Sequence, residues 1–294
     1  MDRSKKGETS MTARFGPAGN SDSFYAEGHK ATIEAPAWLQ QRGLTAYEYQ
    51  CGRGVRVSSE TAAVMGDLAH RCGVQISLHA PYYISLASAE EQKRENSIQY
   101  ILESARAVVA MGGERIVVHP GGLGGLSRDG ATVLASDTLK RAQEVLDAEG
   151  LSSVRICPET MGKINQLGDL EEVLAFCRID ERFLPCIDFG HLNSRTLGGL
   201  NSREAFAALL DRLHDVLGAE RAATFHAHFS KIEYTQGGEK RHLTFADTVY
   251  GPEPAPLMQL VRERQLAPTF ICESDGTQAE DAHLLKRLYE GETV

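Results

Sequence analysis

VQISLHAPYY, residues 74–83, climbs through an apolar, strand-like run, ends it on His79, and stops it with a proline two residues later. The same form returns along the chain. RIVVHPGG (115–122) ends on His119, and SVRICPE (153–159) on Glu159. LPCIDFGH (184–191) delivers Asp188 with His191 a step beyond, TFHAHFS (224–230) delivers His226 and His228, and TFICE (269–273) ends on Glu273. Helix-like segments lie between these runs. Histidines and carboxylates at the carboxyl ends of successive strands are what a metal cluster at the mouth of a barrel requires, and a packed core needs none of them.

Outward from these runs the chain alternates strand and helix signals. Strands are expected near 12–16, 45–50, 74–79, 115–119, 153–158, 184–188, 223–229 and 268–273. Helices are expected near 30–42, 58–72, 90–111, 129–149, 168–179, 202–217, 254–265 and 277–289. Ile98, Ile101, Leu102, Ala105, Val108 and Val109 follow three-to-four spacing, and Gly112-Gly113 then ends that helix. The strand runs are short, continuous and rich in β-branched residues, as parallel strands buried on both faces are. Eight such units without a long linker predict one closed (β/α)8 TIM barrel, an α/β single domain over 12–294 behind a disordered tail at 1–11. An open doubly wound sheet is the alternative, but no G-x-G-x-x-G follows the first strand. Two long loops, 120–130 (PGGLGGLSRDG) and 230–252, are expected on the functional face.

A length of 294 residues suits one such barrel, and 42% apolar with 24% charged residues is ordinary for a soluble globular chain. No apolar run is long enough for a membrane helix, and no secretory signal opens the sequence. Six cysteines without a C-x-x-C pair fit a reducing, cytoplasmic setting, with Cys157, Cys186 and Cys272 acting as small core residues. The net charge of −9 argues against a large nonspecific nucleic-acid surface but permits a basic rim around a metal-neutralised pocket. A monomer is expected.

Each candidate has an ordinary alternative. His79 alone reads as a hydrogen-bonded structural histidine, but His119 in the equivalent place is a second coincidence. Glu159, Asp188 and Glu273 would each be costly at the end of a buried strand unless paired or metal-bound. Three carboxylates meeting at one mouth repel, and bound cations are the natural compensation. A tight turn after Asp188 aims Asp188 and His191 at one pocket. His226 and His228 share a strand face, so one can bind metal while the other stands behind it. His242, in GGEKRH, reads by itself as an exposed loop residue; His29, His70, His214 and His283 read as surface or packing residues. Mixed histidine and carboxylate donors favour zinc, with manganese possible, and they outnumber what one tetrahedral ion uses. Two ions sharing a carboxylate suit displacement at phosphorus.

In order and spacing, HAPY, HPGG, PET, IDFGH, HxHFSK and ICES resemble the endonuclease IV group of abasic-site endonucleases, within the xylose-isomerase-like TIM barrel superfamily. The resemblance runs from about residue 45 to 275. It implies a metal-dependent phosphodiesterase with two or three zinc ions that hydrolyses DNA 5′ to an abasic site. It further implies that His79 and His119 bind one zinc, with Glu159 as the catalytic bridge to a second. Asp188, Glu273 and His228 (or His226) complete the second, and His191 and His242 hold the third. Where the group carries an aspartate two residues before the histidine matching His242, this chain has Lys240, so Glu239, shifted by one, is the replacement to examine. Arg53 with Tyr82 or Tyr83 stand where the group keeps residues that pry open DNA. The rival reading is a divalent-metal sugar isomerase or epimerase on the same barrel. There Glu159, Asp188, His228 and Glu273 would hold one ion, the two glutamates would move protons beside a carbonyl, and His79 and His119 would meet sugar hydroxyls.

Overall fold

The computed structural model describes residues 12–293, so the disordered tail expected at 1–11 lies outside the described residues. Strands and helices alternate as β1 (Arg14–Pro17), α1 (Asp22–Ala26), α2 (Ala35–Gln41), β2 (Ala46–Gln50), α3 (Ser59–Cys72), β3 (Gln75–His79), α4 (Glu91–Ala110), β4 (Arg115–Val118), α5 (Arg128–Ala148), β5 (Arg155–Pro158), α6 (Leu170–Cys177), β6 (Cys186–Asp188), α7 (Phe189–Arg195), α8 (Arg203–Ala223), β7 (His226–Phe229), β8 (Lys231–Thr235), β9 (Gly238–Leu243), α9 (Pro254–Glu263), β10 (Thr269–Cys272) and α10 (Gln278–Glu290). A turn of 3-10 helix, Thr32–Glu34, precedes α2.

The ladders β2-β3-β4-β5 and β6-β7-β10-β1 are parallel throughout. Two parallel bridges, Ala18 to Glu48 and Glu159 to Cys186, join them into a closed ring. Thr45 N–H to the Phe15 carbonyl (3.0 Å) and Leu184 N–H to the Ile156 carbonyl (3.2 Å) reinforce those seams. The β1–β2 seam explains Gly16, because a Cβ there would fall 1.7 Å from the Ala46 carbonyl oxygen. The chain is thus an α/β TIM barrel. Against expectation, the segment after β7 is not an irregular loop: β8 and β9 form an antiparallel hairpin over the mouth. The turn after β6 is likewise a short helix, α7.

Most of the hydrophobic core lies between the strands' outer faces and the helices, with Phe15, Phe189, Phe225 and Phe270 in contact there. The inner faces differ. Counting back by twos from each terminal donor gives the positions that share its face. Val117, Cys157 and Cys186 are buried there in a separate small cluster with Leu184. Glu48, Ser77, His226 and His228 are also buried. A polar column therefore runs up the barrel axis to the mouth. No helix of the described residues is long and apolar enough to cross a membrane, and all six cysteines are free thiols.

Candidate metal centre

The terminal donors of the strands meet in three groups at the carboxyl end of the ring, the face where barrels of this kind place their chemistry. His79, His119 and Glu159 form one, with His79 Nε2 at 3.3 Å and His119 Nε2 at 3.0 Å from Glu159 Oε2. Glu159, Asp188, His228 and Glu273 form the second. There His228 Nδ1 lies 3.3 Å from Glu159 Oε1 and 3.4 Å from Glu273 Oε2. His191, Glu239 and His242 form the third. Within each group the donor atoms lie within 4.8 Å of one another. Glu159 belongs to two groups and also touches His191 Nδ1 at 3.2 Å.

The backbone around these residues sets which ring nitrogen faces the centre. His79 Nδ1–H donates to the Ala80 carbonyl (2.8 Å), leaving Nε2 for Glu159. His191 Nδ1–H donates to the Thr160 carbonyl (2.9 Å), leaving Nε2 toward Glu239, 3.5 Å away. Such partners fix tautomer and ring angle. Asp188 caps α7: Oδ1 accepts from the His191 backbone N–H at 2.7 Å, while Oδ2 is buried with no hydrogen-bond partner. A buried acceptor without a donor is costly unless a cation meets it. Nitrogen and oxygen donors at this spacing fit borderline divalent ions such as zinc, with manganese as the harder alternative.

The third group depends on a β-bulge. Glu239 and His242 are three apart and would lie on opposite faces of a regular strand. The β8–β9 register shifts between Glu233 and Tyr234, and Lys240 is the extra residue. The bulge brings Glu239 and His242 to the same side. Lys240 and Arg241 turn outward to Glu233. Glu239 thus stands where the spacing left a gap, 4.0 Å from His242 Nε2 by its other oxygen. Gly238, at φ 89°, makes the approach possible, because a Cβ there would lie 2.2 Å from the Gly162 carbonyl oxygen.

Charge balance without an ion rests on histidine–carboxylate pairs. Burial opposes ionisation of Glu159, yet the charges of His119 and His228 and hydrogen bonds from His119 and His191 hold it well below the usual carboxylate range. Burial likewise opposes ionisation of Glu273, but His228 brings it down to about 2. Asp188 goes the other way, to about 6, with burial outweighing the help of His191. Burial works against protonation of His79, but Glu159 raises it to about 9.

A cavity of about 420 Å³ opens above the groups, lined by His79, His119, Glu159, His191, Glu239, His242 and Glu273 together with Gln50, Lys163 and Gln166. Tyr82 also lines it, and Arg53 Nε–H donates to the Tyr82 hydroxyl at 3.0 Å. Tyr83 is half exposed and packs on Tyr82, outside the lining. Asp188 and His228 sit below the cavity floor. His226 lies deeper still, fully buried, with Nε2 at 2.9 Å from Glu48 Oε2. Cys186, His226 and His228 make a further close set beneath the mouth. Among the other histidines, His29 pairs with Glu34, His283 meets the Arg42 carbonyl, and His214 is exposed near Asp215. Glu48 and Lys163 were not singled out by the sequence reading. Glu48 sits in AYEYQ, where alternation between tyrosines reads as a solvent-facing side chain; only ring closure turns that face inward.

A parallel β/α ring with histidines and carboxylates gathered at its carboxyl mouth defines a class of barrel whose mouth could hold metal ions. The chain belongs to the xylose isomerase-like TIM barrel family, whose model matches residues 36–288. It is 34% identical over 251 residues to an uncharacterized protein of Methanocaldococcus jannaschii, covering 85% of this chain and 89% of that one. It is 28% identical over 163 residues to a protein described as a probable endonuclease 4 of Acholeplasma laidlawii, covering 54% of this chain and 53% of that one. The chain thus spans about half the length of the endonuclease 4 relatives. In three dimensions it is similar to endonuclease IV from Thermus thermophilus (TM-score 0.69, 20% identity, 94% of this chain and 97% of that chain). It is equally similar to a D-tagatose 3-epimerase-like protein (TM-score 0.70, 20% identity, 94% and 96%). At that identity the likeness concerns the fold alone, and members of the superfamily are enzymes of both kinds.

Proposed function

We propose that the protein is a metal-dependent phosphodiesterase of the endonuclease IV type, acting on DNA at abasic sites. The observation that carries this reading is the third donor group, His191, Glu239 and His242, brought to the mouth by a dedicated hairpin beside two groups that share Glu159. A single-ion reading leaves that third donor group without a role. His79, His119 and Glu159 would hold one ion, Glu159, Asp188, His228 and Glu273 a second, and His191, Glu239 and His242 a third. Bound divalent cations of this kind supply Lewis acidity toward phosphoryl oxygens and a nucleophile at neutral pH. Zinc matches the donors best, and manganese is the second choice. The chain's own groups do the rest. Glu159 ties the first two groups together, Lys163 on the cavity wall offers a positive charge to a phosphate, and the Arg53–Tyr82 pair, with Tyr83 beside it, frames the entrance for an extruded sugar.

The sugar epimerase reading has one observation in its favour: Glu159 and Glu273 both approach Nδ1 of His228, at 3.3 and 3.4 Å, and with Asp188 converge on one point, as a site for a single ion would have them. Metal analysis and turnover separate the two. Two or three zinc per chain, with incision of an oligonucleotide carrying one abasic analogue, is the expected result. One manganese per chain, with no incision in zinc-replete buffer and turnover of a ketose, would reverse it.

A further inference from the structure

Glu48 is fully buried on β2, below the mouth and outside the cavity lining. Both of its oxygens are engaged. Oε2 accepts from Ser77 Oγ–H at 3.0 Å and from His226 Nε2 at 2.9 Å, and Oε1 accepts from Gln50 Nε2–H at 3.2 Å. Oε1 also lies 3.0 Å from His228 Nε2, at an angle short of a straight hydrogen bond. We propose that Glu48 is a positioning residue which, clamped by His226, fixes the ring of His228 so that its Nδ1 faces the metal centre. This rests on the metal reading of the mouth.

The argument is one of donors and acceptors. His228 Nδ1 looks up at Glu159 Oε1 and Glu273 Oε2. To ligate, Nδ1 must carry a lone pair, so the N–H sits on Nε2, and the carboxylate oxygen within reach of it is Glu48 Oε1. Ligating imidazoles ordinarily give their other N–H to such a carboxylate. His226 completes the device. Its Nδ1 is buried without a partner, which is tolerable as a lone pair and costly as an N–H, so its proton belongs on Nε2, pointing at Glu48. A lone carboxylate in the core of a barrel would be prohibitive, and the ring of donors about Glu48 is what permits it. The two histidines of HAH thus divide the work, His228 facing the mouth and His226 holding the residue behind it.

The test uses the full chain stripped of metal and reloaded with zinc or cobalt. In zinc-loaded wild type, nitrogen NMR of the imidazoles is expected to show His226 and His228 as Nε2–H tautomers. Glu48→Gln is expected to keep the thermal melt cooperative, weaken one bound ion by about 10–100-fold in chelator competition, and shift the His228 signals. His226→Gln should give a smaller loss of the same ion, and it is the variant to read if Glu48→Gln unfolds. Unchanged affinity and unchanged tautomers in a folded Glu48→Gln overturn the proposal. So does a thiolate-to-cobalt charge-transfer band that vanishes in Cys186→Ala, because the ion would then sit on Cys186, His226 and His228. Wild type that takes up no ion ends the metal reading and this inference together; uptake indifferent to Glu48→Gln ends this inference alone.

Discussion

Asp188 and His79 both make the metal-free fold less stable as pH rises, in different windows. The raised His79, at about 9, binds a proton in the folded metal-free protein that the unfolded chain has lost above 6.5. Its stabilisation is therefore complete below 6.5 and disappears as pH rises through about 9. Ionised Asp188, shifted to about 6, adds a loss of its own between 3.8 and 6. Bound ions invert the trend, because they need both groups deprotonated. Thermal melts are expected to show the metal-free protein losing stability from pH 6.5 to 9 while the zinc-loaded protein gains. Parallel slopes would remove His79 from the ligand set. Glu159→Gln is the sharper test of the centre: it keeps the volume and deletes the charge that serves two groups, so activity should fall by more than about 100-fold with the fold retained. Wild-type turnover would exclude Glu159 as the bridge. At this scale the strand-end donors were legible because each interrupts an apolar run. Glu48 was not, since its partners arrive from β3 and β7, far along the chain.

Among the elements, the strand-helix alternation was legible from periodicity and glycine stops, and each expected strand and helix has its counterpart. The hairpin was not. GGEKRHL shows neither a period of two nor apolar content, because one of its faces looks at charged donors and a bulge breaks the alternation. The bulge gives a prediction with two arms. Deleting Lys240 leaves Glu239 and the histidine two apart, so a regular strand would put both on one face without a bulge. That deletion is expected to retain the third bound ion. Gly238→Ala forces a side chain into the left-handed region and onto the Gly162 carbonyl, at about 1–3 kcal/mol for the strain alone, and should release that ion while the others stay. Metal counts on the two variants decide it; loss of the ion on deleting Lys240 would show that the bulge itself shapes the group.

Over the whole molecule, closure of the ring was expected from the count of units, but the sequence carries no mark of which strands meet at the seams. Those junctions are single bridges, Ala18 to Glu48 and Glu159 to Cys186, and both involve glutamates of the polar column. The backbone that closes the ring is therefore the same backbone that carries Glu48 and Glu159 into the column. The donors come from β3, β4, β5, β6, β7 and β10 and from the hairpin, so ions bound there cross-link nearly the whole circumference. An ion at a hundred times its Kd stabilises the folded state by about 2.7 kcal/mol, which for a domain of this size corresponds to a rise in Tm of roughly 5 °C or more. Chelation is expected to lower Tm by at least that much, reversibly on adding zinc. Glu159→Gln, with two groups broken at once, should respond much less. A wild-type melt indifferent to both chelator and zinc would mean that histidine–carboxylate pairs alone hold the mouth, and that the seams need no ion to stay closed.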